Sequence, residues 1–282
     1  MMARMRRITH PGPPAATRCT ALPCKAVPLR LTLRAGQSVS QAVTAGFADA
    51  GFAFGYLRLD GAIFAPLTFV TPAPAPDDSH AAWYSATYRA PAPARAISAG
   101  VHLGQRDGQP FLHCHGQWNA GADVPDGGHM LCDDSILAQD VETEGWGLTG
   151  AGLVSRHDPE TNFTLFHPEA TPLPDRTNAF LVTLRPNQDL ATALLDICQE
   201  HGLATARLEG IGSLVGTRFA NGRIIDSLAT EVLIRTGALH GGVCQLDMTS
   251  IGFDGHAQSG PLSEDAHAIC VTAEILILAL TE

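Results

Sequence analysis

The chain has 282 residues, 45% of them hydrophobic and 16% charged, which suits about two globular domains with ample apolar material for buried cores. Its formal net charge of −10 is uneven: residues 1–30 hold six basic residues and no acidic one, so the other 252 hold 12 basic and 28 acidic. A body this acidic matches a phosphate backbone poorly, seven scattered cysteines without a C-x-x-C pair read as free thiols of a reducing, cytoplasmic setting, and no apolar run reaches the ~18–20 residues of a membrane span.

The N-terminal MMARMRRITHPGPPAATRCTALPCKAVP is basic and proline-rich. It lacks the apolar stretch of ~7–15 residues that marks a secretory signal. A disordered tail over residues 1–26 is the expectation, with a transit-like or nucleic-acid-touching arm as the functional alternative. Lys25 is the single lysine of the chain, so a Schiff-base lysine within the folded body is excluded.

Residues 29–52, LRLTLRAGQSVSQAVTAGFADAGF, read as strand, turn and helix. Val39, Ala42, Val43, Gly46 and Phe47 keep the i, i+3, i+4, i+7, i+8 spacing of a helix with one buried stripe. Ser38 stands at the N-cap and Gly51 where a left-handed C-terminal residue is wanted. Arg58-Leu59-Asp60-Gly61 reads as a second strand ending in a glycine turn, and HAAWYSATYRA alternates as a strand.

PFLHCHGQW reads as a strand entering a turn. Alternate strand residues share a face, so His113 and His115 point the same way, ~6–7 Å apart along the strand, while Cys114 points into the core. The third imidazole is expected from His129 in DGGHML, where two glycines allow tight turning and close approach. Three histidines make a divalent-metal set, with zinc the leading ion, and leave a coordination position for water or substrate. Histidines that only hydrogen-bond are the alternative. Asp126, Asp133, Asp134 and Glu142 are candidates for a carboxylate bonded to an imidazole or for acid–base work, against solvated turns as the plainer reading. Arg58, Arg89 and Arg106 are candidates for holding an anionic substrate.

Residues 146–175 read as a connector rich in Gly and Pro, although FTLF is apolar enough to pack as a strand. The opening pattern then recurs. FLVTLRPNQDLATALLDICQEHGL (180–203) aligns without gaps to 29–52, with Thr183-Leu184-Arg185 on Thr32-Leu33-Arg34, Gln188 on Gln37 and Gly202 on Gly51. Leu190, Ala193, Leu194, Ile197 and Cys198 repeat the helix stripe behind an Asp189 N-cap. Arg207-Leu208-Glu209-Gly210 repeats the second strand, and Gly210 to Gly216 read as turn glycines rather than a nucleotide loop. SGPLSEDAHAICVTAE (259–274) aligns to GGHMLCDDSILAQDVE (127–142), and the closing ICVTAEILIL reads as a buried strand carrying Glu274.

The duplication gives two copies of one α+β unit, at 27–145 and 176–282, each a mainly antiparallel sheet with one principal helix on one face. Pro261 replaces His129 in the second copy, and a gapless register sets Asp247 opposite His115. His256 and His267 lack the flanks of the motif and read as solvent-facing or core histidines. The triad is therefore confined to the first copy.

These residues together resemble the plants-and-prokaryotes-conserved (PPC) domain family. The resemblance rests on the TLR-x-x-Q helix start, Gly61 with Gly210-Ile211-Gly212-Ser213-Leu214, the H-x-H strand, the GGH turn and a final apolar strand carrying Glu274. It implies an α+β fold, a trimeric assembly and a metal unit made by His113, His115 and His129. The DNA-binding label of that family comes from plant members with Arg-Gly-Arg-Pro hooks, which this sequence lacks. The expected function is a metal-dependent enzyme (hydrolase, lyase or isomerase) or binder acting on a small carboxylate-type molecule. The alternative is a DNA-binding or non-catalytic assembly module with a structural metal.

Overall fold

A computed structural model of the chain describes residues 5–91, 93–121 and 124–280. Residues 1–4 of the expected tail and 281–282 of the expected second copy lie outside the described residues. The first part of the chain runs β1 (Cys19–Leu33), α1 (Val39–Asp49), β2 (Gly55–Arg58), β3 (Ile63–Phe64), β4 (Leu67–Val70), β5 (Pro72–Ala73), β6 (Trp83–Tyr84), β7 (Tyr88–Ala90), β8 (Ala94–Arg106), β9 (Gln109–Asn119), β10 (Gly127–Met130) and β11 (Val141–Thr149). A hairpin of β12 (Ala151–His157) and β13 (Thr164–Ala170) follows. The second part runs β14 (Ala179–Leu184), α2 (Leu190–Glu200), β15 (Thr205–Leu214), β16 (Thr217–Arg218), β17 (Ile224–Ile225), β18 (Thr230–His240), β19 (Val243–Ile251), β20 (Ala257–Pro261) and β21 (Ile269–Ala279).

Both helices form where the spacing places them. Ser38 accepts from the Gln41 amide while the Gln41 side chain accepts from the Ser38 amide, a capping box that satisfies two amides at the α1 N-terminus. Asp189 caps α2 through the Thr192 amide. Gly51 and Gly202 take φ of +84° and +67° beyond the helix ends. Val39, Ala42, Val43 and Phe47 bury one stripe of α1 in a cluster with Leu31, Leu33, Leu57 and Trp118. Leu190, Leu194 and Ile197 do the same for α2 against Leu208, Ile234 and Ile275.

The sheet pairing is antiparallel except where β12 runs parallel to the end of β8. The strands of the first part pair in the order β1, β11, β2, β8, β9, β10, β4, β7. Those of the second pair in the order β14, β21, β15, β18, β19, β20. Strand β1 joins the two: Cys19 to Cys24 pair with β14, and Lys25 to Leu33 pair with β11. A third cluster, with Cys24, Tyr56, Leu148, Leu181 and Leu276, fills the space behind that junction. Buried apolar area of this kind contributes about 25 cal/mol per Å².

Three expectations are corrected. The tail over 1–26 is ordered from residue 5: Ile8 exchanges two hydrogen bonds with the Asn187 side chain, His10 Nε2 donates to the Cys270 carbonyl, and β1 starts at Cys19. Composition registers the arginines and prolines but not the buried acids that receive them. The connector over 146–175 is sheet rather than linker, because β11 ends in it and β12–β13 extend it. Gly210 does not end a strand. It lies inside β15 at φ +153°, where the β15–β18 register shifts, and a Cβ there would sit 2.2 Å from the Glu274 carbonyl oxygen.

The tail is held by an ion cluster. Arg18 bonds Glu160 at 2.6 Å, and Arg185 bonds Asp158 and lies 3.5 Å from Glu160. Burial pushes the Glu160 carboxyl up, but the Arg18 guanidinium and the Ala15 amide outweigh it, so Glu160 ionises below its ordinary range. A depressed folded-state value stabilises the fold above the unfolded value of about 4.3 and loses that contribution as pH falls through the folded one. Arg18→Met is therefore expected to lose about 1–2 kcal/mol at pH 7, limited because Arg185 remains near Glu160. Denaturant melts should show that gap narrowing as the pH falls below the ordinary carboxylate range, with the share from the Ala15 and Pro186 carbonyl bonds remaining, and a gap independent of pH would refute the assignment.

Candidate metal centre

The triad starts from the backbone of β9. His113 and His115 face one side of that strand, and Cys114, fully buried, faces the core on the other. Beside it β10 pairs His129 directly with His115. Gly128 makes this register accessible: its φ is +150°, and a Cβ would stand 2.2 Å from the Val70 carbonyl oxygen. One ligand nitrogen from each of His113, His115 and His129 lies within 4.8 Å of the other two.

The outer nitrogens are anchored from the second part of the chain. His113 Nδ1 lies 2.6 Å from Glu274 Oε2 on β21. His115 Nδ1 lies 3.2 Å from the Val232 carbonyl on β18, which can only accept. With Glu274 as a carboxylate and both imidazoles neutral, both Nδ1 atoms donate and both Nε2 atoms present lone pairs, 3.0 Å apart. Two lone pairs at that distance repel unless a cation lies between them. Zn–N bonds of 2.0–2.1 Å in a tetrahedral set put nitrogens about 3.3 Å apart. The buried Nδ1 of His129 has no hydrogen-bond partner. Orphaned nitrogens beside two oriented imidazoles fit a metal ion.

The electrostatics agree. Burial, then the neighbouring His113, holds His129 down at about 3. Burial, then His113 and His129, lowers His115 as well. Neutral imidazole is the form a metal needs. Behind the triad, His102 donates from Nε2 to the Glu274 carbonyl and is lowered by burial to about 4.

Of the candidates named from sequence, only the three histidines converge. Glu142 is exposed and accepts from Thr32, and the place beside His113 is taken by Glu274. Asp126 accepts from the Ala257 amide, which ties the two parts of the chain together. Asp133 is exposed, and Asp134 lies in a turn whose amide bonds the Leu131 carbonyl. Arg58 is locked by Asp60 and the Ile234 carbonyl, 3.6 Å from Glu209. Arg89 is exposed on β7, and Arg106 stacks on the Phe111 ring at 3.6 Å and bonds Ser155. Arg58 and Arg106 thus have structural partners, Arg89 is exposed, and among the described residues none of the three lines the cavity beside the triad.

That cavity is lined by His113, His115, Trp83, Tyr84 and Phe163 together with Thr230, Glu231 and Val271. Glu231 was not singled out from sequence. Its Oε1 is 4.0 Å from His115 Nε2, and its buried Oε2 has no hydrogen-bond partner. Burial holds its carboxyl well above the usual range. Its signal was a lone acid at the head of the apolar run of β18, just as Glu274 is the lone acid inside β21.

The β19 and β20 strands explain the missing second site. Asp247 pairs with Pro261 as His115 pairs with His129, and Asp247 is engaged by Arg235 at 3.2 Å. His256 is exposed, and His267 is buried against the Arg218 backbone.

No family model matches the chain, and no curated protein matches it. Solved structures overlap part of it. A metal-containing protein from Archaeoglobus fulgidus is 16% identical over 50% of this chain and 93% of its own, with a TM-score of 0.38. A plant- and prokaryote-conserved (PPC) protein from Pyrococcus horikoshii is 14% identical over 52% of this chain and 96% of its own, also at 0.38. A Ralstonia eutropha protein described as a candidate DNA-binding protein is 17% identical over 51% of this chain and 95% of its own, at 0.34.

Proposed function

We propose that this chain is a metal-binding protein whose first copy of a PPC-like unit holds a zinc ion through His113, His115 and His129, and whose second, triad-free copy supplies the wall that orients it. The carrying observation is the pair of outer-nitrogen bonds, His113 to Glu274 and His115 to the Val232 carbonyl, which aim two Nε2 lone pairs at one point. The tandem arrangement is supported by the shared pairing order, first strand to last strand to the strand after the helix and onward, in both parts.

Three protein ligands leave a position open, where zinc polarises a carbonyl or acidifies a water. The outer bonds of His113 and His115 fix the ring orientation and leave each Nε2 for a metal. Glu231 stands on the cavity side of His115 within reach of a group bound at that position. An enzyme or small-molecule binder follows more readily than a DNA-binding module, because the cavity adjoins the triad while the body carries 28 acids against 12 bases beyond residue 30.

Cobalt substitution tests the site directly. Metal-stripped protein given one equivalent of Co²⁺ is expected to show the strong visible absorption of a four- or five-coordinate ion, and acetohydroxamate should alter it by entering the open position. A weak spectrum like that of hydrated cobalt would sink the reading. A neutral Glu274, with a proton rather than a metal between the two imidazoles, predicts that outcome.

A further inference from the structure

The cavity beside the triad has an uneven lining. Its outer wall is aromatic and comes from two separate segments. Trp83 and Tyr84 form β6 of the short β5–β6 hairpin, and Phe163 precedes β13. Trp83 stacks on Phe163 with centroids 5.4 Å apart and an interplanar angle of 23°, and Tyr84 stands 5.5 Å from the His129 ring. Trp83 and Tyr84 each remain 38% exposed. A ring serving only the core would be covered, whereas these form the mouth of a cavity. The lining adds Ala229 and Val271, and among the described residues no arginine or lysine lines it. Of its polar groups, Ser213, Thr230 and Thr272 are uncharged, and His113, His115 and the Glu231 carboxyl stand together, with Glu231 Oε1 4.0 Å from His115 Nε2 and the buried Oε2 without a partner among the described residues.

A slot that is apolar at one end and metal-binding at the other selects ligands of matching polarity. Glu231 lines the cavity beside His115 and Glu274 stands behind His113, so an oxygen headgroup would be held by the metal and by the Glu231 carboxyl rather than by a guanidinium. We propose, building on the metal reading, that this cavity binds a small aromatic molecule, its ring held between the Trp83–Phe163 stack and Val271, and its carbonyl-type headgroup directed to the open position of the metal and to Glu231. Glu231 touches that headgroup and fixes its orientation. The ring contributes affinity that the headgroup alone lacks.

The test uses full-length, zinc-loaded protein and two probes that share a headgroup. Benzohydroxamic acid carries a ring and acetohydroxamic acid does not. Calorimetric titration is expected to give at least about tenfold tighter binding of the benzo probe, the effect of burying one ring. Phe163→Ala and Trp83→Ala should each erase most of that preference and leave acetohydroxamate binding and zinc content unchanged. Equal affinity for the two probes, with zinc bound, overturns the aromatic ligand and leaves the metal site standing. A preference that survives both variants also overturns it, because the ring would then lie elsewhere. A chain without zinc overturns both readings. Glu231→Gln separates contact from bulk structure: weaker binding of both probes at unchanged zinc content and melting temperature supports the headgroup contact, and unchanged binding overturns that part.

Discussion

His113→Ala is expected to lower bound zinc from about one equivalent per chain to below about 0.1 after gel filtration, as read by elemental analysis. The effect is large because His113 is central to the set. Its ring lies 4.6 Å from that of His115 and 5.0 Å from that of His129, and it alone is bonded to Glu274. Removing it leaves two nitrogens, short of the three protein ligands that a catalytic zinc site uses. The fold should survive, because His113 is only partly buried and its loss removes a polar side chain from the cavity wall rather than from the core. Equal zinc in the variant and the parent would place the metal elsewhere.

The second large effect concerns Glu274, and it separates function from stability. Glu274 is fully buried in the strand ICVTAEILILA, and its Oε1 has no hydrogen-bond partner. A buried, half-satisfied carboxylate contributes little net to folding, although removing it leaves the His113 Nδ1 group without its partner. Its use is to hold the His113 ring. Glu274→Leu is therefore expected to weaken zinc binding by about 10–100-fold, the usual cost of losing a carboxylate behind a metal-bound imidazole. The metal-free protein should still fold, with a melting temperature lowered by only a few degrees (about 1 kcal/mol), because the freed His113 Nδ1 is on a partly exposed side chain. Glu274→Gln keeps an acceptor for Nδ1 and should fall between the parent and Glu274→Leu. If Glu274→Leu unfolds the chain, or binds zinc as the parent does, Glu274 has a different role.

Much of the site was legible because its signals are local. H-x-H on a strand places two imidazoles on one face through backbone geometry alone, and the GGH turn marks a place where only glycine permits the close approach to Val70. The two helices were legible for the same reason, since an N-cap, a buried stripe and a terminal glycine all lie within a dozen residues of one another. The partners of the triad were not. Asp126, Asp133, Asp134 and Glu142 were candidates because they are near in sequence, but Glu274, which aligns with Glu142, stands beside His113, 161 residues away. Arg58 read as a free cation because nothing local neutralises it beyond Asp60, and its other contacts, with Ile234 and Glu209, come from the second part of the chain. The tail read as disordered because Glu160, which receives Arg18, is 142 residues distant.

What the amino-acid order determined here is the two helices and the three histidines on their strands, all consequences of side-chain periodicity and backbone freedom within short segments. Only the packed molecule decided which part of the chain faces the triad, which acids stand behind it and that rings rather than arginines line its cavity among the described residues. Those choices depend on strands β18 and β21 lying against β9, a contact between distant segments selected by the burial of whole faces and written in no single stretch of the chain.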